Sequence, residues 1–328
     1  MKAPAFWYEP PGALAALLAP FGFLYGLAGK LRRALTSPYR TNATLICIGN
    51  IVAGGAGKTP TCLALYKKLA LAYPEGKIGF VTRGYGGREK GPLRVDPTKH
   101  TAAQVGDEAL LLAQAGPCWI GCDRAAAVRE AEKECALILM DDGMQNPTIL
   151  PDLTLLVVDA GAGFGNERVI PAGPLREKKE DALPRVAAVV LIGDKKTKAL
   201  DGLDKPVYRG FLRPSLSPSF LSHPRVLAFA GIGRPSKFYE SCCQAGLNVE
   251  ATRDFPDHYA YRTRDIERLV REAEKKGLSL ITTAKDLVRL SPKDRQKVGV
   301  LTVELVLEAN DEAKLLALVG DAMDKKGK

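Results

Sequence analysis

Histidine is scarce in this chain: His100, His223 and His258 are the only three in 328 residues. A histidine-based metal centre is therefore disfavoured. The seven cysteines, at 47, 62, 118, 122, 135, 242 and 243, are odd in number and form no CxxC pair, and several sit inside apolar runs. They read as reduced core thiols of a cytosolic protein, not as a disulfide frame or a zinc site. No NKxD segment is present to read guanine; in TAKD, at 283–286, Lys and Asp are adjacent. Internal repeats and long low-complexity tails are also missing, which excludes solenoids and linker-rich scaffolds.

Long apolar runs are equally rare. Residues 13–29 carry no charge, but the run is shorter than the ~20 residues of a spanning helix and is punctuated by Pro20, Gly22, Gly26 and Gly29. Lys30, Arg32, Arg33 and Arg40 follow it, whereas a secretory signal places its basic cluster first. Two readings stay open. The segment is an apolar helix that dips into a membrane face with its basic flank on anionic headgroups, or a helix packed on the protein itself. Trp7, Tyr8, Phe21, Phe23 and Tyr25 suit an interface.

What is present is organised around residues 44–61, TLICIGNIVAGGAGKTPT. A short apolar run stops at a glycine-rich turn and gives way to a helical pattern, the strand, loop and helix order of a phosphate-binding loop. Gly54, Gly55, Ala56 and Gly57 let backbone N–H groups approach a polyphosphate. Lys58 reaches its terminal phosphates and the Thr59 hydroxyl suits Mg²⁺. The strict GxxxxGK[ST] spacing wants glycine where this chain has Val52, so the match is to a GGxGKT variant. Downstream, the apolar residues 136–140 run into Asp141 and Asp142, the pattern of a strand whose terminal carboxylate binds magnesium. Together the two elements define a parallel nucleotide-binding sheet.

Further strands are expected at 77–82, 118–121, 153–159 and 187–192. The loop RGYGG at 83–87 follows a strand, where open α/β sheets bind ligands. In QVGDE, Asp107 and Glu108 open a helix, a common dipole arrangement that is structural when taken alone. The connection 163–181 is long, glycine- and proline-punctuated, and reads as a binding loop. The segment LRPSLSPS, 212–219, reads as a domain boundary. Beyond it a second α/β pattern carries GIGRP (231–235), FPDHY (255–259) and TAKD. The net charge of +10 favours a negatively charged partner. Its basic residues are dispersed and no nucleic-acid module is visible, so nucleic acid is not an expected partner.

The ordered set GNIVAGGAGKTP, TRGYGG, QVGDE, DDG-Q, IPAGPLRE, GIGRP, FPDHY and TAKD resembles the tetraacyldisaccharide 4'-kinase family, the lipid A 4'-kinases of Gram-negative bacteria. The resemblance covers nearly the whole chain. It implies an α/β fold: a P-loop nucleotide-binding parallel sheet domain (41–213) plus a second, smaller α/β domain (220–328) closing on the active site, with an N-terminal membrane-associating helix in residues 1–40. It implies ATP and Mg²⁺ as cofactors and transfer of the γ-phosphate to the 4'-hydroxyl of an acylated glucosamine disaccharide 1-phosphate lipid, giving lipid IVA. The expected location is the cytoplasmic face of the bacterial inner membrane, on its anionic surface, as a peripheral or monotopic monomer.

Carried over by position, Asp107 is the catalytic carboxylate, with Glu108 beside it and His258 as its partner. Lys58 and Thr59 serve phosphate and magnesium, with Glu108, Asp141 and Asp142 as further metal candidates. Arg83, Tyr85, Arg124, Gln145, Arg176 and Glu177 fall on matching cofactor-site positions. One departure stands out: the family's DDGFQH is here DDGMQN, with Met144 and Asn146. Asparagine hydrogen-bonds but does not shuttle a proton near neutral pH, so a positioning role survives at that place and an acid or base role does not. The rival class is a P-loop switch or partitioning ATPase, which shares the GGxGKT loop but has no need of GPLRE or FPDHY.

Overall fold

A computed structural model describes residues 3–74, 76–195, 197–216 and 224–326. Its strands are β1 (Thr44–Gly49), β2 (Ile78–Thr82), β3 (Leu93–Arg94), β4 (Cys118–Ile120), β5 (Leu137–Asp141), β6 (Leu153–Asp159), β7 (Ala188–Ile192), β8 (Val207–Leu216), β9 (Arg225–Ala230), β10 (Asn248–Asp254), β11 (Ser279–Thr283) and β12 (Gly299–Leu307). All twelve join one sheet in the order β10-β9-β11-β12-β8-β7-β6-β1-β5-β2-β4-β3. Pairing is parallel except for β3 with β4 and β8 with β12. β1 is central, between β5 and β6, and its six residues are all buried. A parallel strand covered on both faces needs such a continuous apolar run.

Alternation along the strands sorts side chains to two faces. Ile46, Ile48, Leu137, Leu139, Leu155 and Val157 pack with Leu65 and Leu69 of the helix Lys58–Ala72, Leu110 and Leu112 of Asp107–Ala115, and Leu315 and Val319 of Ala309–Lys326. Leu45, Cys47, Ile138, Met140 and Leu156 face Ala127 and Val128 of Arg124–Ala131 and Phe164, Val169 and Leu175 of the long connection. In the C-terminal half, Leu227 and Phe229 face the helix Thr263–Lys276, and Val226 and Ala228 face Pro235–Gln244. The last helix thus returns from the C-terminal half to pack under the first.

Most expected strands and helices are present within a residue or two. One segment differs: residues 212–216, expected as boundary, are strand. β8 pairs β7 through Val207–Gly210 and β12 through Gly210–Leu216. Pro214 therefore lies where the strand has a partner on one side only, the place where a sheet tolerates a residue without an N–H. The remainder of that boundary, 217–223, lies outside the described residues.

The N-terminal apolar run is a helix, as both readings expect, but longer than its uncharged stretch. It forms a continuous helix, Ala13–Ala34, of 22 residues, about 33 Å long, through Pro20. Alanine and leucine on both sides of Pro20 support the helix across the one hydrogen bond proline removes. Among the described residues it is the one helix long and apolar enough to cross a membrane. It touches the body through a narrow stripe, with only Ala15 and Gly22 buried; a Cβ on Gly22 would stand 2.7 Å from the Val169 carbonyl oxygen. Leu14, Leu17, Phe21, Phe23, Leu24, Tyr25 and Leu31 remain exposed. Polar contacts fix the turn that precedes it and its C-terminal end: Trp7 Nε1 donates to the Pro171 carbonyl at 3.0 Å, Lys30 pairs with Asp181 at 2.8 Å, and Arg33 with Glu177 at 2.8 Å.

This packing predicts opposite outcomes for two leucines. Leu315→Ala, deep under the first half, should destabilise the protein by about 2–5 kcal/mol. Leu17→Ala, 71 % exposed, should change stability by less than about 0.5 kcal/mol. Denaturant midpoints of the detergent-solubilised protein check both; equal losses would mean that the N-terminal helix is packed on a surface.

Candidate active site

β1 leads into a loop that turns at Gly54 (φ +126°) and Gly57 (φ +91°). A Cβ on Gly57 would stand 2.5 Å from Ile192 Cδ1, so backbone and space both demand glycine. The helix Lys58–Ala72 begins at the next residue, aiming its unpaired amides and positive dipole end at the loop. This is a cradle for phosphate oxygens. Lys58 Nζ lies 3.6 Å from Asp142 Oδ1, at the mouth of the cradle.

Strand register then sets the carboxylates. β5 pairs β1 with Asp141 opposite Ile48, and the Thr59 hydroxyl donates to Asp141 Oδ2 at 2.9 Å. Asp141 is buried, and its Oδ1 has no hydrogen-bond partner among the described residues. Burial, aided by the Glu108 charge and opposed by Lys58, pushes its carboxyl up to about 7. An orphaned buried oxygen beside a hydroxyl, at the edge of a phosphate cradle, fits Mg²⁺. That ion needs only one or two protein oxygens when phosphates and water complete its shell. No three His, Cys, Asp or Glu side chains among the described residues make a metal cage by themselves. Asp142, with φ +56°, turns away and is met by Arg176 at 2.9 and 3.0 Å. Burial raises its carboxyl, but the Lys58 and Arg176 charges outweigh that and hold it below the usual range. Glu108 is bound by Lys285 at 2.5 Å. Of the four metal candidates, then, Thr59 and Asp141 stand together, while Asp142 and Glu108 are engaged by cations.

Across the cleft, Asp107 and His258 meet despite 150 intervening residues: His258 Nδ1 is 3.4 Å from Asp107 Oδ2. The turn before Asp107 packs on the RGYGG turn, where a Cβ on Gly106 would lie 2.5 Å from the Tyr85 carbonyl oxygen. Burial raises the Asp107 carboxyl, but the hydrogen bond to His258 and the Arg289 charge overcome it and hold the group well below the carboxylate range. The hydrogen bond to Asp107 raises the His258 imidazole above its ordinary value. His258 adopts φ +58°, rare for a side-chain-bearing residue. Its ring lies 5.5 Å from that of Tyr85. His258 is the exposed member of the pair and Asp107 the buried one.

The remaining candidates divide into two groups. Arg124 is buried, donates to the Gly121 carbonyl at 2.6 Å, and leaves Nε unpartnered among the described residues. Burial and the neighbouring Arg83 charge lower it to about 10, an arrangement suited to an incoming anion. Arg83 and Tyr85 are exposed nearby. Gln145 and Glu177 belong to a different cluster, beside Arg176. Gln145 Nε2 donates to the Asn50 carbonyl at 2.9 Å and to Glu177 at 3.0 Å. Glu177 is buried and also receives Arg33 and Arg185. Its carboxylate ties the N-terminal helix to the body. Asn146 accepts both the amide and the hydroxyl of Thr148 at 2.8 Å, closing a turn.

Lys285 and Arg289 were missed by motif reading. Their signal was available in TAKDLVR: two cations four residues apart, a spacing that puts both on one side of a helical turn.

A glycine cradle on a helix start, a neighbouring strand ending in a hydroxyl-bonded aspartate, and a carboxylate–imidazole pair opposite define a P-loop phosphotransferase. The sequence model of the tetraacyldisaccharide-1-P 4'-kinase (LpxK) family matches residues 14–323. A tetraacyldisaccharide 4'-kinase of Parvibaculum lavamentivorans is 44% identical over 99% of this chain and 99% of its own length. One of Rhodospirillum centenum is 46% identical, over 100% and 99%. A solved LpxK of Aquifex aeolicus in complex with ATP is 25% identical, superposes with a TM-score of 0.74, and covers 93% of this chain and 99% of that one. The chain belongs to the tetraacyldisaccharide-1-P 4'-kinase family.

The Asn146 contacts predict that Asn146→His leaves kcat within about threefold and adds no rate transition near the histidine pKa of about 6.5. A large gain with such a transition, read from a pH–rate profile, would show that proton transfer at this position had been lost.

Proposed function

We infer that this enzyme transfers the γ-phosphate of ATP to the 4'-hydroxyl of a tetraacyldisaccharide 1-phosphate, producing lipid IVA in lipid A biosynthesis. Full-length membership of the kinase family carries the reading, and the convergence of GGAGKT, the Asp141 strand end and Asp107–His258 on one cleft supports it. ATP and Mg²⁺ are its cofactors. Thr59 and Asp141 would hold the magnesium, which neutralises charge on the phosphates when bound.

The chain's own residues do the rest. Gly54 to Gly57 and Lys58 grip the phosphates through backbone amides and one ammonium. Arg124 and Arg83 add positive charge beside the phosphates. Arg176 holds Asp142, which in turn positions Lys58. Because phosphoryl transfer has a loose transition state, this positioning and charge stabilisation supplies most of the catalysis. A sugar hydroxyl is a weak nucleophile, and the Asp107–His258 pair takes its proton as the bond to phosphorus forms, a contribution of about 10² to 10⁴ in rate. The halves before and after β8 carry the two sides of this cleft. The N-terminal helix places its exposed apolar face in the cytoplasmic leaflet of the bacterial inner membrane, with Lys30, Arg32 and Arg33 at anionic headgroups. The protein acts there as a monotopic or peripheral monomer.

Lys58→Ala should lower kcat by about 10²-fold or more in a folded protein. Asp107→Asn and His258→Ala should each lower kcat with little change in ATP binding, and the double variant should be scarcely worse than the poorer single one. Losses that multiply in that cycle would mean that the two residues act independently. For the membrane reading, the triple change Leu17→Glu, Phe21→Glu, Leu24→Glu should release the protein from anionic vesicles and raise the apparent KM for lipid at least tenfold, on the order of what three lost apolar anchors imply. The KM for ATP should stay the same. Unchanged vesicle binding would refute that placement.

A further inference from the structure

Arg289 lies outside every motif that pointed to the site, yet it touches both members of the candidate base pair. Its Nε donates to Asp107 Oδ2 at 3.1 Å, and Nη2 donates to the same oxygen. Nη1 donates to the Gly231 carbonyl at 2.7 Å and to Asp286 Oδ1 at 2.9 Å. The Gly231 carbonyl is also the acceptor for the backbone N–H of His258, at 3.0 Å. One guanidinium therefore fixes the carboxylate of Asp107 and the oxygen that holds His258 in its left-handed backbone.

The anchor behind it is rigid. Asp286 is fully buried and accepts from the Gly231 amide at 3.0 Å, the Thr283 hydroxyl at 2.7 Å and the Tyr261 hydroxyl at 2.9 Å. The Arg289 side chain is 6% exposed and that of Asp107 is 4%. Four segments meet at this one side chain: QVGDE from the P-loop half, and GIGRP, FPDHY and TAKDLVR from the other. One turn earlier on the same segment, Lys285 holds Glu108. Consecutive carboxylates of one half are thus gripped by cations four residues apart on the other.

We propose that Arg289 is a positioning residue for phosphoryl transfer: its planar fork sets Asp107 against His258 and locks the C-terminal half to the P-loop half in the arrangement that assembles the pair. A lysine has the charge but not the three directed contacts, because only a guanidinium donates along several fixed in-plane directions at once. The proposal rests on Asp107–His258 as the proton-accepting pair, and the experiment separates the two ideas.

Full-length Arg289→Ala, Arg289→Lys and Asp107→Asn are assayed with ATP, Mg²⁺ and tetraacyldisaccharide 1-phosphate, with circular dichroism confirming the fold. Arg289→Ala should lose about 10²-fold in kcat while its KM for ATP moves less than about threefold. Millimolar guanidinium should restore part of that loss, and Arg289→Lys should fall about tenfold, between the two. A structural role alone would lower stability and raise KM without guanidinium rescue, and that pattern overturns the proposal. So does a kcat equal to or above that of the wild type in either folded variant, which would make Arg289 a bystander or a mask over Asp107. If Arg289→Ala fails to fold, Arg289→Lys decides on the same criteria. Full activity of Asp107→Asn removes the base assignment itself; an inactive Asp107→Asn beside a fully active Arg289→Ala removes Arg289 alone.

Discussion

Four carboxylates, those of Asp107, Glu108, Asp141 and Asp142, have to share one cleft with a polyphosphate that is itself an anion. Unpaired, such charges repel one another and the substrate at a cost that rises as water is excluded. The protein answers for three of the four with cations drawn from different places: Arg176 and Lys58 for Asp142, Lys285 for Glu108, Arg289 for Asp107. Among the described residues Asp141 alone of the four forms no ion pair; its one hydrogen bond is from the Thr59 hydroxyl. That exception is what supports Thr59 and Asp141 as the proposed magnesium site. Each pairing also fixes a segment: the long connection through Arg176, and the C-terminal half through Lys285 and Arg289.

The same economy shapes residues 163–181. Arg176 and Glu177 are neighbours in sequence, yet one reaches Asp142 beside the phosphate cradle and the other receives Arg33 from the N-terminal helix. The connection is therefore at once a wall of the site and the mount for the apolar helix. Its length follows from having to span both.

Much of this was legible from residue order. GGAGKT after a strand and LILMDD at a strand end each have a local physical reason, and strands and helices fell where their apolar periods put them. Residues 212–216 were misread because Pro214 signals a break when a strand's partners are unknown. The sequence does not reveal that one edge is free at that point. The length of the N-terminal helix was underestimated because the uncharged stretch ends at Gly29, while the helix runs on through Lys30, Arg32 and Arg33. Arg289 and Lys285 escaped because their meaning is long-range: a cation on a helical turn is unremarkable until a carboxylate 182 residues away is found against it. Glu177, read by position as part of the cofactor site, is a buried ion-pair centre in the structure, a distinction that no local pattern encodes.

β8 shares its hydrogen bonds between the two halves in an unusual way. Its first residues are laced to β7 and its last to β12, with Gly210 the one position in register with both. There a Cβ would stand 2.7 Å from the Val306 carbonyl oxygen. A rotation of one half against the other cannot be taken up by that strand as free swivelling; it has to be absorbed as added twist along an already twisted ribbon. Such a strand is a torsion spring. Any rotation of one half against the other would meet a restoring torque from the hydrogen bonds that lace its two ends.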